Sequence, residues 1–253
     1  MSALKRLVIL SLWCAITSGF HTGYSQMAVT ETEYLHSPQV SVLVYHNSYP
    51  VGKQGGIEII LHDKRIATNG DLHLQLKQSD RESEIMAQPI PPIENPERIV
   101  DRGSNRIKVL YSHEEIDLRY HLVIQPLENS DFEIIVNFEE PFDTSSIDEL
   151  SFQMEFYPEY YKGKSYITNR ISGVFPHILT SDVKEKNGSS VLSALASGRK
   201  MIFAEESPEF NISIESRGNP MELIDRRQVA LREWFAIKVD ADLSKARNSI
   251  HLV

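Results

Sequence analysis

The sequence predicts an all-β protein: a large antiparallel β-sandwich, two packed sheets with roughly a dozen strands. Three observations carry that prediction. Apolar residues recur at every second position from Val40 onward, and turn signals such as Asn69-Gly70 and Asn187-Gly188 punctuate the chain. No helical period is sustained over three turns. Alternation of this kind puts one strand face on a core and the other in water, the habit of antiparallel sheets.

In chain order, Ser41–Tyr45 and Ile57–Leu61 are the first strands, with Gly55-Gly56 free to supply positive φ ahead of the second. Thr68-Asn69-Gly70-Asp71 carries a tight-hairpin signal that turns the chain into a strand of Leu72, Leu74 and Leu76. Met86 to Asp101 holds Pro89, Pro91, Pro92 and Pro96. It reads as an extended surface loop rather than a linker, because the strands before it are too few to stand alone. Ile107, Val109 and Tyr111 start a new alternating run, followed by Leu118, Tyr120, Leu122 and Ile124. Phe132, Ile134, Val136 and Phe138 form one face of the next strand, and Leu150, Phe152, Met154 and Phe156 one face of another. Val191–Leu195, Lys200–Ala204, the Phe210/Ile212/Ile214 run and Glu233–Val239 complete the series. Ser249 to Val253 opens a last apolar stretch, which suits an edge strand or a larger protein cut short.

The N-terminus reads as an export signal occupying residues 1–25, with residues 26–253 as a single β-sandwich domain. Lys5 and Arg6 precede the apolar run Leu7 to Ile16, and Gly23 and Ser25 offer small side chains before Gln26. The run is shorter than the about 20 apolar residues a membrane span needs. Cleavage there removes Cys14, the only cysteine, so the expected periplasmic or secreted bacterial protein has neither disulfide nor thiolate ligand. With 26 basic against 35 acidic side chains the chain offers no nucleic-acid surface, since phosphates are bound through clustered cations. No membrane association is expected after cleavage.

Motifs for chemistry are few. Gly163-Lys164-Ser165 resembles the end of a phosphate-binding loop, but the position of the first glycine holds Pro158, which has no N–H to offer. The nine histidines show no metal-binding spacing, so no metal and no cofactor is implied. Glu139-Glu140 point to opposite strand faces and do not form an acid/base pair. No catalytic residue is nominated.

Aromatic clustering is the more useful signal. Tyr157, Tyr160 and Tyr161 lie within five residues of an expected loop, Tyr45 and Tyr49 form a second stretch, and Trp234 is a third platform. Such rings combine an apolar face with a polar handle, which suits the CH faces and hydroxyl rims of sugars. The competing reading is that they fill the core or an interface.

Tyr49-Pro50-Val51-Gly52-Lys53-Gln54-Gly55-Gly56-Ile57-Glu58-Ile59-Ile60, with Arg65-Ile66-Ala67-Thr68-Asn69-Gly70-Asp71-Leu72, resembles the amino-terminal β-domain of multi-domain bacterial glycoside hydrolases of family nine, cellulase-like enzymes. Ile99-Val100-Asp101-Arg102, Gly163-Lys164-Ser165-Tyr166, Gly173-Val174-Phe175-Pro176 and Ala196-Ser197-Gly198-Arg199-Lys200 extend the likeness, while His177 stands where an arginine is expected. The resemblance implies that catalysis belongs to an (α/α) barrel after an immunoglobulin-like domain, and no position here matches the barrel's catalytic residues. The expectation is therefore an exported, non-catalytic module of a polysaccharide-degrading system, which packs against a catalytic glycoside hydrolase domain or helps hold a polysaccharide or oligosaccharide. The rival expectations are a stand-alone carbohydrate-binding module and a sugar epimerase or lyase on a β-sandwich.

Overall fold

The structure is a computed structural model that describes residues 26–46, 56–76, 96–113, 116–128, 131–139, 144–169, 171–179, 183–186, 189–192, 194–227, 234–242 and 249–253. The expected export signal, Tyr49 and the four prolines Pro89, Pro91, Pro92 and Pro96 lie largely outside these residues, with Pro96 alone inside.

The protein is mostly β, arranged as several antiparallel sheets. Strands are numbered in chain order. The largest sheet has the order β1 (Ala28–Val29), β2 (Leu35–His36), β3 (Val40–Val44), β4 (Ile57–Leu61), β5 (Lys64–Leu76), β10 (Ile147–Phe156), β19 (Phe235–Asp240), β18 (Met221–Asp225) and β15 (Ala194–Gly198). A five-stranded sheet runs β20 (Ser249–Leu252), β9 (Phe132–Phe138), β8 (Leu118–Pro126), β7 (Arg106–His113) and β6 (Glu97–Asp101). A four-stranded sheet runs β12 (Ser172–Val174), β11 (Ser165–Thr168), β16 (Lys200–Phe203) and β17 (Ile212–Glu215). β13 (Val183–Lys186) and β14 (Ser189–Leu192) pair antiparallel, with Lys186 opposite Ser189, and the expected Asn187-Gly188 turn lies outside the described residues. The strands outnumber the expected dozen because short pairs such as β1 and β2 carry no alternation long enough to read. β6 also departs from expectation: the end of the Pro-rich stretch is a strand paired with β7, not loop.

The Asn69-Gly70 signal does not make a hairpin. The turn lies earlier, at His62-Asp63, where φ of 47° and 61° and the Leu61–Lys64 pair fit a two-residue mirror-image turn. Asn69 instead takes φ 52° inside the 13-residue β5, where pairing with both β4 and β10 shifts register. The left-handed residue that could have turned the chain therefore makes a bulge. Two glycines permit the close approach there: a Cβ on Gly56, at φ +68°, would meet Gly70 O at 2.6 Å.

β10 lies in the interior of the large sheet between β5 and β19, and its register explains the core. Phe152 pairs with Leu72 and Val239, Met154 with Ile237, and Phe156 with Ala67 and Phe235, so all these side chains share one buried face. The alternation was expected to put the other face in water. Ser151, Gln153 and Glu155 are buried there instead, and hydrogen bonds among polar neighbours offset their lost hydration. Ile107, Val109, Leu122, Ile124 and Val136 form the equally buried inner face of the five-stranded sheet. At the other end Phe175 packs on Phe235 at 4.7 Å and on Phe203 at 5.1 Å, joining the four-stranded sheet to the same core.

Candidate functional site

The Tyr-rich stretch is not a loop. After β10 ends at Phe156, Pro158–Tyr161 form the one-turn helix α1, with Pro at its first position, where a missing N–H costs nothing. Tyr157 precedes the turn and its N–H donates to Ile66 O at 3.1 Å. That single turn divides the tyrosines. Tyr161 points inward, fully buried, with its ring 5.8 Å from Phe156 and 5.5 Å from Phe175. Tyr157 and Tyr160 stay half-buried at the surface. Because Phe156 pairs with Phe235, the next residue outward from each, Tyr157 and Trp234, fall side by side.

The result is a row of four rings. Trp234 meets Tyr157 edge-on at 4.4 Å, Tyr157 lies 6.4 Å from Tyr160, and Tyr160 stacks on Phe210 at 5.1 Å with their planes 21° apart. Two ammonium groups cap the Phe210 end: Lys64 Nζ sits 4.7 Å and Lys164 Nζ 5.2 Å from its ring centre. Lys64 also pairs with Glu209 at 3.0 Å, and Lys164 Nζ donates to Ser207 Oγ at 3.2 Å. Phe210 and the two lysines were not nominated from sequence. Phe210 alternates with Ile212 and Ile214 and so reads as a strand residue, and nothing local announces that it leaves the strand to stack on Tyr160.

The row rests on a buried polar layer. Arg65 Nε lies 2.8 Å from Glu58 Oε2, a carboxylate 1% exposed, and Arg65 also hydrogen-bonds to the Tyr157 hydroxyl. Burial raises the Tyr157 pKa, while Arg65 acts against that rise. Beside it, Asn69 Nδ2 donates to Glu155 Oε2 at 2.6 Å, Arg226 Nη1 lies 3.5 Å from Glu155 Oε1, and Arg226 also donates to Gln153 Oε1. The Arg226 N–H donates to Trp234 O at 2.9 Å. Arg65 thus engages the Tyr157 hydroxyl from beneath, while Trp234 is held through its own backbone oxygen. Each guanidinium also lies against a buried carboxylate, where opposite charges are screened less than at the surface.

Tyr45 lies elsewhere, in a second cluster between the large and five-stranded sheets. Its hydroxyl donates to Asp71 Oδ2, and the Leu72 N–H donates to Asp71 Oδ1 at 2.7 Å. Its ring meets Tyr111 at 5.7 Å, and Tyr111 stacks on Tyr120 at 4.5 Å, nearly parallel. Burial pushes the Asp71 carboxyl up to about 6, although both hydrogen bonds favour its charged form. The Tyr45 and Tyr120 hydroxyls are pushed up by burial first and then by the neighbouring Asp71 charge. Tyr111 Oη makes no hydrogen bond of acceptable geometry. Tyr45 therefore belongs to a structural junction, not to the ring row.

Of the six nominated aromatics, then, the structure brings Tyr157, Tyr160 and Trp234 together, sends Tyr161 inward, leaves Tyr45 half-buried in a separate cluster, and leaves Tyr49 outside the described residues. Comparison with known protein families, with curated proteins and with solved structures gives no match to this chain.

Proposed function

We propose that the chain is an exported, non-catalytic β-sandwich module that holds polysaccharide or oligosaccharide along the Trp234–Tyr157–Tyr160 row, in the service of a glycoside hydrolase. The single observation that carries this reading is the convergence, from two separate stretches of chain, of three half-exposed rings into one row. Half-exposed Tyr and Trp give a sugar an apolar surface with a polar handle beside it. The carboxylates beneath the row support holding rather than cleaving. Glu58 and Glu155 are each paired with an arginine and are 1% and 5% exposed, whereas glycoside hydrolysis needs two carboxyls that flank the bond being broken. A two-sheet sandwich is the simplest architecture consistent with one continuous core that draws on both larger sheets. The resemblance to the amino-terminal domain of family-nine glycoside hydrolases supplies the polysaccharide context and the expected periplasmic or secreted location.

Affinity electrophoresis through gels containing β-glucan, xylan or mannan tests the proposal. Retardation in at least one gel is expected. Tyr157→Ala and Trp234→Ala are each expected to weaken it about 30-fold, the size of a binding hot spot of about 2 kcal/mol. Normal migration in every gel, or retardation indifferent to both variants, refutes the row as a glycan site. Release of reducing sugar at enzymatic rates refutes the non-catalytic reading.

A further inference from the structure

Two asparagines in the chain stand two positions before a serine or threonine with no proline between them: Asn187 in Glu185-Lys186-Asn187-Gly188-Ser189 and Asn211 in Glu209-Phe210-Asn211-Ile212-Ser213. Asn-x-Ser is the pattern at which oligosaccharide is attached to exported proteins, and the attachment needs a surface position. In both stretches a glutamate also stands two residues before the asparagine. Asn187 lies outside the described residues, so the geometry is that of Asn211.

Asn211 is the residue immediately before β17, at the end of the segment that joins β16 to β17. Exposure alternates along its five-residue stretch. Glu209, Asn211 and Ser213 are exposed, whereas Phe210 and Ile212 are half-buried, the first stacked on Tyr160 at 5.1 Å and the second packed on the core. Positions two apart on an extended chain share a face, so the Asn211 amide and the Ser213 hydroxyl lie on the same exposed side. Asn211 Nδ2 donates to Glu205 O at 3.3 Å, a contact at the surface. A sugar added at Nδ2 therefore displaces no packed side chain.

We propose that Asn211 is an acceptor for N-linked oligosaccharide, recognised by a transferase through Ser213 and Glu209. The co-substrate is an oligosaccharide carried on a lipid pyrophosphate. Asn211 Nδ2 forms a bond to C1 of the first sugar while the bond from C1 to the pyrophosphate oxygen breaks. The lipid pyrophosphate leaves with the electron pair, and Nδ2 gives up one proton to a base of the transferase. Transfer is expected on the chain as it is exported, before β17 pairs with β16, because a peptide groove takes an extended segment whose backbone is unpaired. At that stage Lys64, which in the fold sits 3.0 Å from Glu209, belongs to a distant β5 that has not yet joined it. Glu209 then offers its charge to a cationic groove, and the folded protein has only to accommodate the product. The inference goes beyond the ring row and does not rest on it: the sugar here is attached rather than held, and the premise is the expected export.

The full chain is expressed in a bacterial host that carries a periplasmic oligosaccharyltransferase and its lipid-linked oligosaccharide, beside a known acceptor protein. A second version has an established export signal in place of residues 1–25, so that failure of export is read apart from failure of acceptance. Trypsin cleaves at Arg199, Lys200 and Arg217, which puts Asn211 on a peptide apart from Asn187, and mass spectrometry weighs each. The peptide 201–217 is expected to gain the mass of one oligosaccharide. Asn211→Gln and Ser213→Ala should each abolish that gain and Ser213→Thr should retain it. Glu209→Ala is expected to lower occupancy about tenfold. An unmodified 201–217 peptide with both export signals, in cells that modify the acceptor control, overturns the proposal. So does a gain that survives Asn211→Gln or Ser213→Ala, and occupancy unchanged by Glu209→Ala overturns the part assigned to Glu209.

Discussion

Asp71 gives the sharpest test of the packing argument. Its carboxyl sits between the two larger sheets and is raised from 3.8 to about 6, chiefly because burial penalises its charge. The folded chain then binds this proton more tightly than the unfolded chain does. Linkage makes its contribution to stability fall as pH climbs from about 4 to about 6, and level off on either side. A shift of about two units at 1.36 kcal/mol each is worth about 3 kcal/mol between those limits. Asp71→Asn keeps the shape and the acceptor for the Leu72 N–H but does not titrate. The Tyr45 hydroxyl, freed from donating to a carboxylate, then has the unsatisfied Tyr111 Oη within its cluster. Urea denaturation of both proteins at pH 3.5, 5, 6 and 7.5 measures the difference in stability, which cancels every other titrating group. The variant is expected to gain on the parent by about 3 kcal/mol from the lowest pH to the highest. A difference constant across the series, or one that favours the parent as pH rises, refutes the claim that Asp71 is buried against the tyrosines at the expense of stability.

Other substitutions test separate parts of the structure. Tyr45→Phe removes the hydroxyl donor to the Asp71 carboxylate and is expected to cost about 2 kcal/mol at pH 7.5, and less below pH 4, read from the same urea curves. Gly56→Ala forces positive φ on a Cβ that meets backbone at 2.6 Å, whereas Gly163→Ala, at φ +75°, meets only the exposed His177 ring, which can swing aside. The first is expected to cost at least about 3 kcal/mol and the second about 1, by calorimetry. Tyr161→Ala should cost about 3 to 5 kcal/mol and Tyr160→Ala less than about 1, although the two residues are neighbours in sequence. Similar losses for the two tyrosines would show that α1 does not separate an inner ring from an outer one.

The strand pattern was legible wherever alternation ran for four or more residues. β7, β8, β9 and β10 follow the expected runs because a buried face must repeat every second residue, and nothing in the chain competes with that period. Turn chemistry was legible as a need for positive φ but not as to its use. Asn69 has the left-handed backbone its signal announces, yet the hairpin closes at His62-Asp63, which lacks the Asn-Gly or Asp-Gly pair. A local signal says that a residue can leave the strand conformation, and only long-range pairing decides whether the chain then turns or bulges. The buried polar face of β10 was illegible for a related reason. Ser151, Gln153 and Glu155 look like a solvated face, and the groups that satisfy them, Asn69 and Arg226, are brought up by strands far away in sequence.

The candidate site repeats that lesson in its chemistry. A cluster of tyrosines announces that rings will gather but not which way they face. The deciding step is the one-turn helix after Phe156, because Tyr160 and Tyr161 follow each other about 100° apart around the turn, so that Tyr160 stays at the surface when Tyr161 enters the core. Trp234 joins the row only through the Phe156–Phe235 register, a pairing between strands almost eighty residues apart. Rings held by strand register and, for Tyr157, by Arg65 from beneath are ordered before any ligand arrives. Binding to such a surface loses little side-chain entropy, so even a modest contact with a sugar face converts to measurable affinity.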